Sequence, residues 1–168
     1  MTETGMVNVW LSLGSNMAPE NHIPQALHDL EAIFGDLRVS PIYESEAVGF
    51  KGDNFHNMVV GISTDRSPRE LVSILRQLEA RHGRERAQER FNSRTLDIDL
   101  LTYGDRIIDE GPIQLPRDEI LKYAFVLLPL SEVAADEIHP QTGLSYGQLW
   151  DGFDRQDQSL WRVEYRAE

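Results

Sequence analysis

Asp97 and Asp99 stand one residue apart in the run Arg94-Thr95-Leu96-Asp97-Ile98-Asp99-Leu100-Leu101. On a strand, positions i and i+2 share a face, so both carboxylates project together while Leu96, Ile98 and Leu100 turn to the opposite side. Their backbones lie roughly 6.5–7 Å apart, and the side chains can converge on one Mg²⁺ or on two ions about 3.5–4 Å apart. Just upstream lie Arg81, Arg84, Arg86, Arg90 and Arg94. Carboxylates that hold a hard cation beside guanidiniums that hold anions point to a magnesium polyphosphate. The competing reading is a pair of solvated acids on an edge strand, with a basic patch at a helix end offset by Glu79, Glu85 and Glu89. Leu101, the next residue on the aspartates' face, argues against a simply solvated surface.

Other positions narrow the chemistry. Only Lys51 and Lys122 accompany the arginines, which favours planar, bidentate anion recognition over point charges. There is no G-x-x-x-x-G-K-[ST] loop, no G-x-G-x-x-G and no kinase catalytic loop, so phosphate handling must rest on arginine and metal. Gly14-Ser15-Asn16 either turns the chain or offers amides to an anion, and the turn is the reading favoured here. Phe55 and Asn57 flank His56 and share a strand face, where an aromatic could stack on a flat ring while an amide reads its edge. The plainer reading is a core phenylalanine and a loop asparagine. His82 and His139 are taken as lone structural histidines, and Trp10, Trp150 and Trp161 as packing residues.

These residues need a scaffold. Val7 to Leu13 alternates as a strand, and Ile23, Ala26, Leu27, Leu30, Ile33 and Phe34 recur at helical spacing up to Gly35. Leu37 to Ala47 reads as a strand, the Gly-containing stretch from Val48 to Asn54 as a loop, and Phe55 to Thr64 as a second strand pairing antiparallel with the first. Ser67-Pro68-Arg69-Glu70 is a capping box with proline at the first helical position, followed by an apolar stripe of Leu71, Ile74, Leu75 and Leu78. Thr95 to Tyr103 supplies the strand of the aspartates. The order β-α-β-β-α-β predicts an α+β, ferredoxin-like core with an antiparallel sheet. Later segments around Ile107, Ile113, Ala124–Ala134, Ser145–Trp150 and Leu160–Tyr165 are expected to cover the second face, giving three α/β/α layers. The loops at 48–54 and 84–93 are expected to close over the ligand.

Composition sets outer bounds. The 168 residues fit one domain, and the formal net charge of −12 argues against nucleic acid, whose binding requires neutralised phosphates. An RNA-recognition module has the same element order, but no RNP1 pattern is present. Cysteine is absent, which excludes disulfides, thiolate metal sites and cysteine nucleophiles. The polar start and the short apolar run at Val7–Leu13 suggest neither signal sequence nor membrane span, and a cytoplasmic protein is expected.

Leu13-Gly14-Ser15-Asn16, Phe55-His56-Asn57, Arg84 to Arg94 leading into Thr95-Leu96-Asp97-Ile98-Asp99-Leu100-Leu101, and Phe125-Val126-Leu127-Leu128-Pro129-Leu130 together resemble the 6-hydroxymethyl-7,8-dihydropterin pyrophosphokinases of folate biosynthesis. The likeness is colinear over about residues 7–143. It implies a monomer that transfers the β,γ-diphosphate of ATP to a reduced pterin. Asp97 and Asp99 would bind two Mg²⁺ with ATP, Asn57 would bond the pterin edge, and Phe55, Phe91 and Phe125 would surround the ring. Arg84 and Arg94 would act in catalysis, and Arg86, Arg90 and Arg117 on the nucleotide. Two departures stand out: Arg117 follows Leu115-Pro116 where the family usually has histidine, and Tyr123 stands where it usually has arginine. They define an alternative, a weakened relative that binds pterin or nucleotide without efficient turnover.

Overall fold

A computed structural model describes residues 5–46, 54–83, 95–155 and 158–165. The elements are β1 (Val7–Ser15), α1 (Pro19–Phe34), β2 (Arg38–Val39), β3 (Ile42–Ser45), β4 (Phe55–Thr64), α2 (Pro68–Arg81), β5 (Asp97–Tyr103), β6 (Ile108–Glu110), β7 (Ile113–Leu115), α3 (Glu119–Lys122), α4 (Ala124–Val133), α5 (Tyr146–Asp151) and β8 (Leu160–Val163). The main sheet runs β5-β1-β4-β3-β8, with β2 also paired to β4, and its strand pairings are antiparallel. This is the expected ferredoxin-like core with additions.

Each face of the sheet has its own core. Leu11, Leu13, Met58, Val60, Ile98 and Leu100 meet Ile23, Ala26 and Leu30 of α1 and Leu71, Leu75 and Leu78 of α2. Trp10, Val59 and Leu101 meet Val126, Leu127 and Leu130 of α4 and Tyr146 of α5. Helix α1 carries one apolar stripe, whereas α4 is apolar nearly all round because it lies between the sheet and α5. Helix α2 starts as its sequence requires: Ser67 Oγ accepts the Glu70 N–H at 3.2 Å, and the Ser67 N–H donates to Glu70 Oε1 at 2.9 Å.

Several expectations are corrected. The strand expected from Leu37 splits into β2 and β3 at Ser40-Pro41, because Pro41 has no N–H to offer a ladder. Ser40 holds the break against β4, its N–H donating to the Val59 carbonyl and its Oγ accepting the Val59 N–H. β1 does not stop at Gly14 but continues through Ser15, with Gly14 paired to Asn57 on one side and Asp97 on the other. The aspartate strand begins at Asp97 rather than Thr95, and it gains an extra residue opposite Trp10 and Leu11. This bulge shifts the alternation beyond it: Leu101 stays on the aspartates' side, facing α4, whereas Tyr103 falls on the helix α1–α2 side with Ile98 and Leu100.

Only part of the C-terminal material covers the second face. Helices α3, α4 and α5 do so, but β6 and β7 form a separate hairpin whose Ile108, Ile113 and Leu115 pack on the α1–α2 core. β8 extends the main sheet instead of layering on it, covering what would otherwise be the open edge of β3.

Candidate functional site

One rung of the sheet builds the floor of a cleft. Asp97 of β5, Gly14 of β1, Asn57 of β4 and Tyr43 of β3 lie side by side, and residues opposite one another in a ladder point to the same face. Asp99 lies one step along, opposite Ser12. Helix α4 stops short of this end of the sheet, leaving a cleft of about 400 Å³. Asp97, Asp99, Phe55, Asn57, Arg117 and Phe125 all line it, together with Glu119 and Tyr123. Gly14 keeps the floor low, since a Cβ there would sit 3.0 Å from Asn57 Oδ1 and 3.8 Å from Phe55 Cδ1.

The aspartates occupy the polar end. Burial pushes the Asp99 carboxyl above the usual carboxylate range and the charge of Asp97 pushes the same way, while Arg117 and Arg76 oppose them. Two acids held together in a half-buried cleft are a donor set that calls for a cation. No group of three or more histidine, aspartate or glutamate side chains is placed to hold a metal among the described residues. A pair of carboxylates is nevertheless within the one or two that Mg²⁺ commonly takes from a protein, its shell being completed by water and substrate phosphate.

Arg76, which sequence reasoning missed, reaches Asp99 from helix α2. Its Nη2 lies 3.0 Å from Asp99 Oδ1 and its Nη1 2.5 Å from Oε2 of Glu79. Glu79 is only 2% exposed and accepts the Ile98 N–H at 2.8 Å. β5 ends the strand order, so these two side chains cover its outer edge, and Glu79 takes an N–H that no strand accepts. The i, i+3 spacing of Arg76 and Glu79 was visible, but the helix–strand contact that gives it meaning was not.

The aromatic end is built from two elements. Asn57 donates from Nδ2 to Ser45 Oγ at 3.0 Å, leaving Oδ1 as an acceptor above Gly14. Phe55 precedes it on β4, and Phe125 comes from the first turn of α4, its ring stacked on Tyr123 at 5.0 Å between centroids and 14° between planes. Arg117 lines the cleft, pairs with Glu119 and contributes positive charge at Asp99. Arg84, Arg86, Arg90, Phe91 and Arg94 lie outside the described residues, as do the loop at 84–93 and most of the loop at 48–54.

His82 is not isolated as expected: its Nδ1 is 2.8 Å from Nδ1 of His22, and its Nε2 lies 3.4 Å from Asp29 Oδ2. Helices α1 and α2 place those groups together, which sequence spacing does not show. His139 is structural, its Nδ1 accepting the backbone N–H groups of Gln141 and Thr142.

A three-layer α+β core whose second layer leaves an acid-and-aromatic cleft is thus in place. The family model described as 7,8-dihydro-6-hydroxymethylpterin-pyrophosphokinase (HPPK) matches residues 10–135, and the chain belongs to that family. It is 35% identical over 139 residues to the 2-amino-4-hydroxy-6-hydroxymethyldihydropteridine pyrophosphokinase of Aquifex aeolicus, covering 80% of this chain and 85% of that protein. The protein of the same name from Synechocystis is 33% identical, with 86% of this chain and 75% of that one covered. A longer relative, the folic acid synthesis protein fol1 of Pneumocystis carinii, is 32% identical, and the chain spans 20% of its length. Among solved structures, Plasmodium falciparum HPPK-DHPS with pterin and p-hydroxybenzoate superposes with a TM-score of 0.66 at 13% identity, covering 87% of this chain and 43% of that one. That likeness establishes the fold.

Proposed function

We propose that this chain transfers the β,γ-diphosphate of ATP to the hydroxymethyl group of 6-hydroxymethyl-7,8-dihydropterin, releasing AMP, as a step of folate biosynthesis. The observation that carries the reading is one cleft lined by paired acids, an asparagine amide and two phenylalanines, in a chain of this family. The substrate hydroxyl oxygen bonds to the β-phosphorus, the bond from that phosphorus to the α–β bridging oxygen breaks, AMP departs, and the hydroxyl proton is released. Reactions of this type depend on positioning and charge stabilisation and need no protein nucleophile.

The side chains divide these tasks. Phe55 and Phe125 offer faces to the flat ring, and Oδ1 of Asn57 accepts from N–H groups on its edge. Asp97 and Asp99 would hold Mg²⁺, two ions with ATP, which when bound neutralises phosphate charge and brings the phosphate and hydroxyl oxygens together. Arg117 compensates charge where the nucleotide meets the acids. Arg84, Arg86, Arg90 and Arg94 are assigned to the triphosphate, and Phe91 to the ring, by the family resemblance alone. No helix among the described residues is long and apolar enough to cross a membrane. We further propose action as a cytoplasmic monomer, in keeping with a cleft built from one chain and with the absence of cysteine.

The alternative of binding without turnover arose from Arg117 and Tyr123. The first puts positive charge beside Asp99 and the second packs flat on Phe125, so both positions have a part in the cleft as it stands. Turnover decides the matter: incubation with ATP, the pterin and Mg²⁺ should yield AMP and not ADP, with no AMP when either pterin or metal is omitted. ADP as the product, or no pterin-dependent AMP at any ATP concentration, would overturn the proposal.

A further inference from the structure

The family match ends at residue 135, yet the segment 158–165 returns to both walls of the cleft. We propose that this segment is a positioning strap, anchored separately by Gln158 and Tyr165, that fixes the two walls of the ring site relative to each other and so sets affinity for the pterin. The inference rests on the reading of the cleft as a pterin site.

The first anchor holds the Phe125 wall. Tyr123 is the N-cap of α4, and its side chain makes no capping hydrogen bond. Gln158 does that work: its Oε1 accepts the Ala124 N–H at 2.8 Å, and its Nε2 donates to the Lys122 carbonyl at 3.0 Å. One amide thus clamps the backbone on both sides of Tyr123, whose ring lies against Phe125. A free helix N–H is otherwise satisfied by water and leaves the first turn free to shift.

The second anchor holds the Phe55–Asn57 wall. β8 pairs with β3 so that Leu160 lies opposite Ser45 and Trp161 opposite Glu44. Ser45 accepts from the Asn57 amide, and Glu44 accepts from the Asn54 amide and lies against the imidazole Nε2 of His56. Beyond β8, the Tyr165 hydroxyl lies 2.5 Å from Nδ1 of His56, and the two rings stack with 19° between planes. Burial raises the Tyr165 hydroxyl well above its ordinary range, so it stays a donor. The other ring nitrogen, Nε2, lies 3.2 Å from Glu44 Oε1, so the imidazole is held on both sides. His56 sits between Phe55 and Asn57 in sequence, so locking it locks the strand that presents them. The described residues lining the cleft include neither Gln158 nor Tyr165, and both act through residues that do line it.

The test uses the full chain and two conservative variants, Tyr165→Phe and Gln158→Met, each removing hydrogen bonds with little change of volume. Calorimetry measures binding of the pterin and, separately, of a non-hydrolysable ATP analogue with Mg²⁺. Each variant should weaken pterin binding about three- to tenfold, as expected for one or two lost hydrogen bonds. Affinity for the ATP analogue should stay within about twofold, and kcat at saturating pterin should hold while KM for pterin rises. Unchanged pterin affinity in both variants, with the wild type binding normally, would overturn the strap and leave the site reading intact. Equal losses for both ligands would also overturn it, because they indicate general destabilisation. Failure of the wild-type chain to bind pterin would overturn the underlying reading and the strap with it.

Discussion

The two faces of β5 differ by one residue of register and by everything that covers them. Leu96, Ile98 and Leu100 are sealed under α1 and α2, the first two fully buried, whereas Asp97 and Asp99, interleaved with them, face a cleft. The apolar face is closed because two long helices cross it. The other face is open at one end because α4 covers only the part around Trp10, Val59 and Leu101. The contrast teaches that the site is made by incomplete layering: the same strand gives rigidity on one side, and the polar groups it must hold stand where the second layer ends. Changes on the two faces should therefore separate stability from chemistry.

Asp97→Ala should have the largest effect. Loss of this acid should abolish pterin-dependent AMP formation while the unfolding midpoint stays close to that of the wild type, since the residue belongs to neither core. A rate within about tenfold of wild type, or roughly 1.4 kcal/mol of barrier, would contradict the assigned role. Ile98→Ala, its neighbour on the sealed face, should do the reverse. Truncating a fully buried isoleucine costs about 2–5 kcal/mol, which urea unfolding would read. At low temperature the folded variant should keep most of its turnover. If Ile98→Ala instead lost activity without losing stability, the division between the two faces would fail.

Sequence made the alternation of β5 plain because burial on one face enforces a period of two, and it made α2 plain because a capping box is a local pattern. The grouping of Phe55 and Asn57 with Asp97 and Asp99 came from the family resemblance, since the residues alone favoured a core phenylalanine and a loop asparagine. What stayed hidden depends on neighbours far apart in the chain. Arg76 matters only because α2 lies along the outer edge of β5, and no spacing in the sequence shows a side chain reaching around a strand. Gly14 read as a turn because glycine usually means one, whereas its use here comes from having Asp97 and Asn57 on either side. The tail was legible only as one of several short elements expected on the second face, because its partner β3 and its bond to His56 are tertiary facts.

Gly14 gives a finer probe of the open face. A methyl group at this position would meet Asn57 Oδ1 at 3.0 Å, closer than ordinary contact, and would stand on the cleft floor. Gly14→Ala should raise KM for the pterin about tenfold, equivalent to roughly 1.4 kcal/mol, with a smaller change in KM for ATP. Steady-state kinetics with each substrate varied in turn would check this. A change confined to ATP would place the ring elsewhere in the cleft.

The smallest effect concerns the acidic pair without metal. The Asp99 carboxyl has its pKa raised above 3.8 by burial first and by Asp97 second. An acid whose pKa rises on folding favours the folded state fully at pH values below its unfolded pKa, and that contribution is lost as pH climbs through the raised value. Asp99→Asn has no carboxyl to ionise there. In EDTA, therefore, the variant should gain thermal stability relative to wild type as pH moves from about 3.8 towards neutrality, and the gain should level off once Asp99 is ionised. Mg²⁺ with nucleotide should shrink that gap by stabilising the wild type more than the variant, because ligands that bind only the folded form raise its stability. Melting curves across pH, with and without Mg²⁺ and nucleotide, measure both terms. A difference independent of pH would mean that Arg76 and Arg117 already neutralise the pair, and the acids would then have less need of a cation than the cleft suggests.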